Sequence, residues 1–500
     1  MNLSVALSPA SAAWKQALEQ EKVSYRVLNA LSELDPESYP VAVLTQRPSL
    51  QELSDWRKYL HGGGRLVTTE EAGRTLSGRF SDRILLVEDP SEMQASLGRY
   101  REKEFYFEKD RFVTEVAASL PAGRWRRAFV AALQKAFWSL GLPYVRLSYY
   151  PAAYDGLFCF RMDFDNFIEE DFNNTCGLIK RYPGIVSCFV NMKSFEGKAR
   201  EVRRLSDGAG TIGSHGYIHH VYDRYAQNRW NVERAEELLK QCGVSTRGFS
   251  APHGLWNPLL QRVLEEKNYS YSSEFTLNYD DLPFFPVVHG KASSVLQVPT
   301  HPVCEGVFME RYGFDESMIT GYYSKVISEK MAAFEPALIF GHPDGRIGRH
   351  PQIFHQLMTE VGRWPHSWKT DLDSWTEWWR DRSSWTFDLA WEDGLKTRSF
   401  PADPRASLEF FFPNRSRLKL KAAELVTALP EKELLKRASR IEPVVSFVRE
   451  RSARLSPWKR AKGWIKKWLD WETKTPAKDY LLHGPRDWVR FFLRKVFAGA

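Results

Sequence analysis

An apolar run that ends in two aspartates limits the folds open to this chain. In Phe160-Arg-Met-Asp163-Phe-Asp165 the carboxylates are two residues apart, so on a β-strand they point to the same side. Adjacent carboxylates repel each other unless a cation or a shared proton relieves them. The pattern therefore predicts a buried strand that ends at a metal site, with a structural cap as the alternative.

A His-x-x-x-His pair follows in Gly-Ser-His215-Gly-Tyr-Ile-His219, with His220 as a competing candidate. Histidines four residues apart share one face of a helical turn, at a spacing that suits one ion. One carboxylate and two imidazoles can hold a divalent metal with open positions, which leaves the second carboxylate free to act as a base. This donor set favours Zn²⁺, with cobalt, iron or nickel as chemical alternatives.

The length of the chain predicts several domains. Its 500 residues exceed the roughly 250 to 300 residues at which single cores stop growing. The expected segments are residues 1–96, a flavodoxin-like α/β domain; 97–150, a helical connector with an amphipathic helix from Arg124 to Leu140; 151–365, the catalytic domain; 366–430, a Trp-rich segment with a small β domain; and 431–500, a basic amphipathic helical tail.

Short apolar strands alternate with helical stretches in residues 1–96, as expected of a doubly wound α/β layer. The turn His61-Gly62-Gly63-Gly64 lies between a predicted helix and a strand, where glycine supplies a helix C-cap. The segment is similar to amidotransferase-like flavodoxoid domains. It contains no cysteine and therefore lacks the amidotransferase nucleophile, so we expect a structural or recognition domain.

The positive charge of the chain is concentrated in the tail. Residues 431–500 carry eighteen Lys and Arg against eight Asp and Glu, a charge of +10, so the first 430 residues sum to −2 within the total of +8. This argues against nucleic-acid binding by the main body. Trp464 and Trp468 share a predicted helical face beside lysines, so the tail is expected either to bind an anionic membrane surface or to pack on the protein itself.

Four of these motifs together resemble the polysaccharide deacetylase (NodB homology, carbohydrate esterase 4) family, which implies a distorted (β/α) barrel. The family's first two motifs are similar to Met162–Asp165 and to Gly213–His219. Its Arg-x-Pro-Tyr-Gly motif is similar in part to Ser250-Ala251-Pro252-His253-Gly254, and its last motif to the strand-like run that ends in His342. Its fourth motif, built around aspartate and tryptophan, has only Asp280 and Asp281 as candidates.

The resemblance implies a role for each residue of the site. The metal ligands would be Asp165, His215 and His219. Asp163 would be the base, His342 would protonate the departing amine, and the backbone amide of His253 would help to hold the oxyanion. The candidates for substrate binding are Pro252, Arg247 and Arg346. Ser250 replaces the arginine that orients the catalytic aspartate in the family, and Arg247 or Arg161 could take over that function.

The expected function is metal-dependent amide hydrolysis. The resemblance implies N-deacetylation of an N-acetylated sugar in a glycan, glycolipid or nucleotide-sugar precursor. Alternatives are a deformylase or cyclic-amide hydrolase that acts on a small molecule, and a catalytically impaired carbohydrate-binding protein. Residues 1–15 lack the basic and apolar regions of a signal peptide, and the five cysteines form no Cys-x-x-Cys pair. We therefore expect a cytoplasmic protein with reduced thiols, able to lie peripherally on the inner face of the membrane.

Overall fold

The computed structural model describes residues 1–91, 96–288, 290–425, 428–442, 444 and 449–453. The chain begins with five parallel strands and four helices: β1 Val5–Ser8, β2 Tyr25–Val27, β3 Val41–Leu44, β4 Arg65–Thr69 and β5 Ile84–Val87, with α1 Ala12–Glu21, α2 Glu52–His61, α3 Glu70–Gly73 and α4 Ser77–Phe80. The strand order is β2-β1-β3-β4-β5, the doubly wound order of flavodoxin-like sheets.

The glycine turn between α2 and β4 is set by packing as well as by the end of the helix. Gly62 caps α2 with a helical φ of −72°, whereas Gly63 has a φ of 102°. A Cβ atom on Gly64 would lie 2.2 Å from the ring of the buried Tyr59. Two of the three glycines are therefore required by a left-handed backbone and by a close approach to an aromatic ring.

The interval predicted as a helical connector also contains strands. It consists of β6 Tyr100–Tyr106, β7 Phe112–Ala118, α5 Ala122–Trp138 and β8 Tyr144–Leu147. The antiparallel hairpin β6–β7 contacts the next domain, where the amide of Ala118 donates to the carbonyl of Phe275 at 3.1 Å. The expected amphipathic helix is α5, and its apolar side packs on β3, β4 and β5.

Eight parallel strands form the central barrel sheet. They are β9 Gly156–Phe164, β10 Val186–Val190, β11 Thr211–Ser214, β12 Gly248–Phe249, β13 Tyr271–Ser272, β16 Leu296–Gln297, β17 Pro336–Gly341 and β18 Ser367–Lys369; β14 Val287–Val288 and β15 Lys291–Ala292 form a separate hairpin. The order is β16-β13-β12-β11-β10-β9-β17, and β18 pairs with the start of β9. This topology confirms the predicted α/β class with a NodB-type parallel sheet.

The sheet curls far enough for its two edges to meet. The amide of His301, just after β16, donates to the carbonyl of Leu338 in β17 at 2.9 Å. All nine residues of β9 are buried, as expected of a parallel strand covered on both faces. The helices of this domain are α6 Glu169–Arg181, α7 Ala199–Ser206, α8 Tyr225–Gln241, α9 Pro258–Glu266, α10 Glu305–Tyr312, α11 Glu316–Ala332 and α12 Gln352–Gly362.

The barrel continues beyond residue 365, where the sequence analysis places its end. After β18, the amide of Leu372 at the start of α13 (Leu372–Ser384) donates to the hydroxyl of Ser187 in β10 at 2.8 Å. The later elements are β19 Asp388–Trp391, β20 Gly394–Ser399, β21 Ser407–Phe411, β22 Ser416–Lys421, β23 Leu429–Pro430, α14 Glu431–Arg437, β24 Ser439–Arg440 and β25 Arg449–Ser452. Because β8 pairs with β21, the interval 97–150 and the predicted β domain share one sheet.

The predicted helices around Trp464 and Trp468 lie outside the described residues. Within the described part of the chain, no helix combines the length and the apolar character that crossing a membrane requires. The five cysteines are free and buried, as expected.

A buried carboxylate joins the three parts of the fold. Glu21 of α1 is fully buried and accepts from the hydroxyl of Tyr149 at 2.7 Å and from the guanidinium groups of Arg126 and Arg146. Burial raises the pKa of Glu21, but the two arginines outweigh it and hold the pKa below its usual value. The charge of Glu21 is therefore compensated entirely by protein groups.

Removal of this charge should destabilise the whole chain. We expect Glu21→Gln to cost about 3 to 5 kcal/mol, because it leaves buried arginine charge uncompensated. Urea unfolding followed by tryptophan fluorescence measures this cost. The control is Glu70→Gln, whose carboxylate is 81% exposed and 3.8 Å from Arg74 and should contribute less than about 0.5 kcal/mol. Equal small effects of both substitutions would contradict the assignment of a structural role to Glu21.

Candidate functional site

The predicted site residues lie at one end of the barrel. Asp163 is near the end of β9 and Asp165 follows it, while His215, Ser250 and His342 directly follow β11, β12 and β17. Parallel strands bring their carboxyl ends to the same edge, which is where barrel enzymes carry their active sites. The fold thus brings to one edge site residues that are spread from position 163 to position 342 of the sequence.

Asp165, His215 and His219 form a group that could hold a metal ion. Oδ1 of Asp165 is 3.2 Å from Nε2 of His215 and 3.2 Å from Nε2 of His219. One ligand atom from each residue lies within 4.8 Å of the other two. The competing candidate, His220, is not part of this group, and its ring packs on Tyr222 with the centroids 4.7 Å apart.

The two histidines reach the site from a turn, which corrects the prediction of a helix. Gly216 has a φ of 77°, and a Cβ atom there would lie 3.0 Å from the side-chain amide nitrogen of Asn231. Oδ1 of Asn231 accepts from the amides of Tyr217 at 3.0 Å and Ile218 at 2.6 Å. This asparagine on α8 therefore holds the loop that carries both histidines.

The hydrogen bonds of His215 show that the group fits a cation. Nδ1 of His215 is 2.7 Å from the carbonyl oxygen of Ser250, so Nδ1 donates to that oxygen and Nε2 is the ring nitrogen that faces Asp165 and is available to a metal. Oδ1 of Asp165 is buried and has no hydrogen-bond partner among the described residues. Two acceptors that face each other in a buried site need protons or a metal ion between them, and an imidazole–carboxylate set suits a divalent metal.

Asp163 is held by Arg161, two residues earlier on the same face of β9. Nη2 of Arg161 donates to Oδ2 of Asp163 at 2.9 Å, and Nη1 donates to the carbonyl of Ser273 at 2.6 Å. The hydroxyl of Ser250 is 3.3 Å from Oδ1 of Asp163. Of the two arginines considered as replacements for the family's motif arginine, the structure therefore places Arg161 beside the aspartate.

The substrate-binding role predicted for Arg247 is wrong. This residue precedes β12, at the end of the strand opposite Ser250, and its side chain is 64% exposed and 2.6 Å from Glu377. Arg346 does reach the site, because its Nη1 lies 2.7 Å from Nδ1 of His342. Pro252 is buried at the start of the turn that carries His253.

His342 has a partner that the sequence analysis missed. Oε1 of Glu305, the first residue of α10, is 2.8 Å from the amide nitrogen and 2.9 Å from Nδ1 of His342. Nδ1 cannot both donate to Glu305 and accept from Arg346; since Glu305 is a buried carboxylate, we assign the Nδ1 proton to the bond with Glu305. Nε2 then points to the metal group, 3.8 Å from Oδ2 of Asp165.

This environment favours the protonated form of His342. Burial lowers the pKa of His342, but Glu305 and Asp165 outweigh it and raise the pKa well above its usual value. Burial likewise raises the pKa of Glu305, and the charge of His342 and its hydrogen bond lower it by more. A cation on Asp165 would cancel part of that residue's effect, which leaves Glu305 as the carboxylate that keeps His342 charged.

Asp280 and Asp281, the candidates for the fourth motif, lie elsewhere. Asp280 accepts from Nδ1 of His301 at 2.9 Å, and Asp281 from Nε of Arg126 at 2.7 Å. Glu305 occupies the position beside the histidine instead. Its only sequence signal is its place between an apolar stretch and a helix, which many acidic residues share.

His253 adopts a left-handed backbone with a φ of 57°. Its ring packs edge-on against His219, with the centroids 4.5 Å apart. The side chain that stands in place of the family's tyrosine thus borders the metal group. The oxyanion role of its backbone amide stays a prediction.

The hairpin β6–β7 brings a further carboxyl group towards His342. Burial raises the pKa of Glu115 to about 7, with the charge of Glu310 acting in the same direction and that of His342 opposing it. The aromatic and β-branched residues of Phe112–Ala118 were the available signal for this strand.

Comparison with known proteins supports the family resemblance. Residues 159–272 match the sequence model of the family described as polysaccharide deacetylase. The match includes both aspartates and both metal-group histidines and ends before Glu305 and His342. It confirms the predicted resemblance and relates this segment to a family of hydrolases. No curated protein sequence matches the chain.

Solved structures show distant likeness. A probable polysaccharide deacetylase from Pseudomonas aeruginosa PAO1 is 15% identical with a TM-score of 0.40, over 47% of this chain and 93% of that one. Puue allantoinase gives the same four values. A CE4 family pseudoenzyme from Bacillus anthracis, BA3943, is 10% identical with a TM-score of 0.32, over 44% of this chain and 65% of that one. These likenesses assign no activity.

Metal binding should depend on Asp165 and not on Asp163. We expect the full-length protein to bind Zn²⁺ or Co²⁺, and Asp165→Asn to weaken binding by at least about 100-fold, because loss of a ligand exceeds the effect of losing a ligand's supporting partner. Calorimetry and the visible spectrum of Co²⁺ measure it. Asp163→Asn on the same strand is the matched control and should retain the metal; equal loss in both variants would make Asp163 a ligand as well.

Proposed function

We propose that this chain is a metal-dependent amide hydrolase that removes the acetyl group from an N-acetylated sugar in a glycan, glycolipid or nucleotide-sugar precursor. The observation that carries the proposal is the placement of two supported side chains around one metal group. His342, supported by Glu305, lies 3.8 Å from Asp165. Asp163, supported by Arg161, is 3.3 Å from the hydroxyl of Ser250, whose carbonyl oxygen is the partner of His215. A base, an acid and a cation site at one point are the components of metal-assisted hydrolysis.

Asp165, His215 and His219 would hold the metal, and their mixed nitrogen and oxygen donors favour Zn²⁺. A divalent metal bound there would polarise the amide carbonyl and lower the pKa of a water molecule beside it. Asp163 takes a proton from that water as the water oxygen attacks the carbonyl carbon. Arg161 balances the charge of Asp163 and fixes its orientation.

His342 completes the reaction from the other side of the group. As the C–N bond breaks, Nε2 of His342 gives its proton to the departing amine, and the products are acetate and a free amino sugar. Glu305 holds the ring through Nδ1 and stabilises its charged form. We propose that the backbone amide of His253 supports the developing oxyanion, and that Arg346, at the mouth beside His342, contacts the substrate.

The substrate class is tested by product release. We expect acetate from a panel of N-acetylated sugars, with the activity lost on chelation and restored by Zn²⁺. Asp163→Asn should reduce kcat at least about 100-fold, because general base catalysis contributes about 10²- to 10⁴-fold.

The same panel separates the alternatives. Formate release, or hydrolysis of a cyclic amide without acetate release, would replace the deacetylase assignment with that of a small-molecule hydrolase. Sugar binding without any hydrolysis would identify a carbohydrate-binding protein. Activity that survives both the chelator and Asp163→Asn would overturn the metal-hydrolase mechanism.

The pH profile tests the Glu305–His342 pair. His342 works in its protonated form, so activity is present below its pKa and is lost as the pH rises through that pKa. Glu305→Gln removes the buried carboxylate that raises the pKa, so the alkaline limb of kcat/KM should move to lower pH. Glu310→Gln, an exposed position on the same helix, should leave the limb in place. An unchanged limb in Glu305→Gln would exclude His342 as the acid.

We further propose that the tail contacts the anionic inner face of a membrane, for which its charge of +10 is the support. Deletion of residues 455–500 should strongly reduce sedimentation with phosphatidylglycerol vesicles. Unchanged sedimentation would show that the tail is not an anchor.

A further inference from the structure

A basic cavity lies at the end of the barrel opposite the metal group. It has a volume of about 370 Å³ and is bounded by residues just before β9, β17 and β18 and by the sheet that contains β22 and β24. Five cationic side chains line it: Arg417, Lys419, Lys421, Arg437 and Arg440. Among the described residues of its lining, Asp155 is the one carboxylate.

Two of these cations are fixed in the wall. Nζ of Lys419 donates to the carbonyl of Tyr154 and lies 3.9 Å from Oδ1 of Asp155. Nη2 of Arg417 contacts Asp155 at 2.8 Å and the buried Glu409 at 2.6 Å. The side chain of Arg417 is only 10% exposed, and its Nε has no hydrogen-bond partner among the described residues. The wall therefore holds two cationic side chains in fixed positions.

Positive charge exceeds negative charge around this cavity. Arg437 pairs with Glu424 at the rim, whereas Lys421 and Arg440 are exposed and have no ion pair in the part of the chain that the structure describes. Burial lowers the pKa of Lys419 to about 8; Glu409 and Asp155 oppose this effect, and Arg417 and Arg146 add to it. An added anion would relieve this excess.

We propose that the cavity binds a phosphate group. Five arginine and lysine side chains around one space, two of them without an ion pair among the described residues, match the several oxygens and the double charge of a phosphate better than they match a single carboxylate. The volume falls within the range of about 300 to 1,000 Å³ that is typical of small-molecule sites. The phosphate belongs either to a soluble phosphoester or diphosphate, or to a phospholipid headgroup at a membrane surface.

This site is separate from the catalytic one. Strand β9 runs from Gly156 beside the cavity to Phe164 beside the metal group, and nine extended residues span about 30 Å. A ligand in the cavity cannot contact the reacting atoms, so the inference does not depend on the proposed function. Failure of one would leave the other unaffected.

Calorimetry with inorganic pyrophosphate and the full-length protein tests the site. The double variant Lys421→Glu/Arg440→Glu changes two exposed lining residues and should weaken binding more than about tenfold. The matched control is Lys432→Glu/Lys436→Glu, which makes the same change of charge at exposed positions of α14 that do not line the cavity. The control should bind pyrophosphate as the wild type does.

Vesicle sedimentation distinguishes the two sources of phosphate. If the lining variant loses binding to phosphatidylglycerol vesicles relative to the control, and pyrophosphate competes weakly, the ligand is a headgroup. If it loses pyrophosphate binding alone, the ligand is soluble. Absence of binding to both probes, or equal losses in the lining variant and the control, would overturn the proposal.

Discussion

The assembly of this chain depends on a charge that water does not reach. Glu21 lies on α1, a helix that packs on the first sheet, and it pairs with Arg126 and Arg146. Each arginine also contacts a second part of the fold. Arg126 contacts Asp281 and Glu335 in the barrel domain, and Arg146 contacts Glu409 in the C-terminal sheet. Through these contacts Glu21 is linked to the barrel domain and to the C-terminal sheet, so the first sheet alone would leave its charge uncompensated. The domains are therefore electrostatically interdependent as well as packed together.

Buried charges are also paired at the candidate active site. Asp163 and His342 are each paired with a buried group of opposite charge, Arg161 and Glu305. Each partner is close in space, but one lies two residues away and the other lies 37 residues away along the chain. The barrel thus holds two oriented side chains near the candidate metal group, each with its own partner of opposite charge.

Local patterns in the sequence predicted much of this fold. The strands and long helices of the first sheet, the helix α5 and the strand that carries Asp163 follow from apolar periodicity. The choice of Asp165 as the partner of His215 and His219 came from the family resemblance. The helical turn expected for the two histidines was wrong, because Asn231 accepts from successive amides and holds a loop. That interaction comes from another helix, which spacing within the motif cannot reveal.

The features missed were those set by contacts distant in sequence. Nothing near Glu305 marks it as the partner of His342, since the pairing exists only once α10 lies beside the end of β17. The sheet shared by β8 and β21 joins segments more than 250 residues apart. The hairpin β6–β7, in contrast, is rich in the aromatic and β-branched residues that favour strands and could have been identified from its sequence.

Strand β18 pairs with the start of β9 and β10 pairs with its end, and this arrangement bears on how such a chain can evolve. The last strand of the barrel, β18, and the helix α13 directly precede the strands of the C-terminal sheet. Strand β8, which precedes the barrel in sequence, pairs with β21 of that sheet. Recombination at a border of the barrel would therefore separate β18 from β9, or β8 from β21. The barrel therefore cannot be exchanged as a separate unit without removing a strand partner from the following sheet, whereas substitutions and loop insertions leave the shared strands intact.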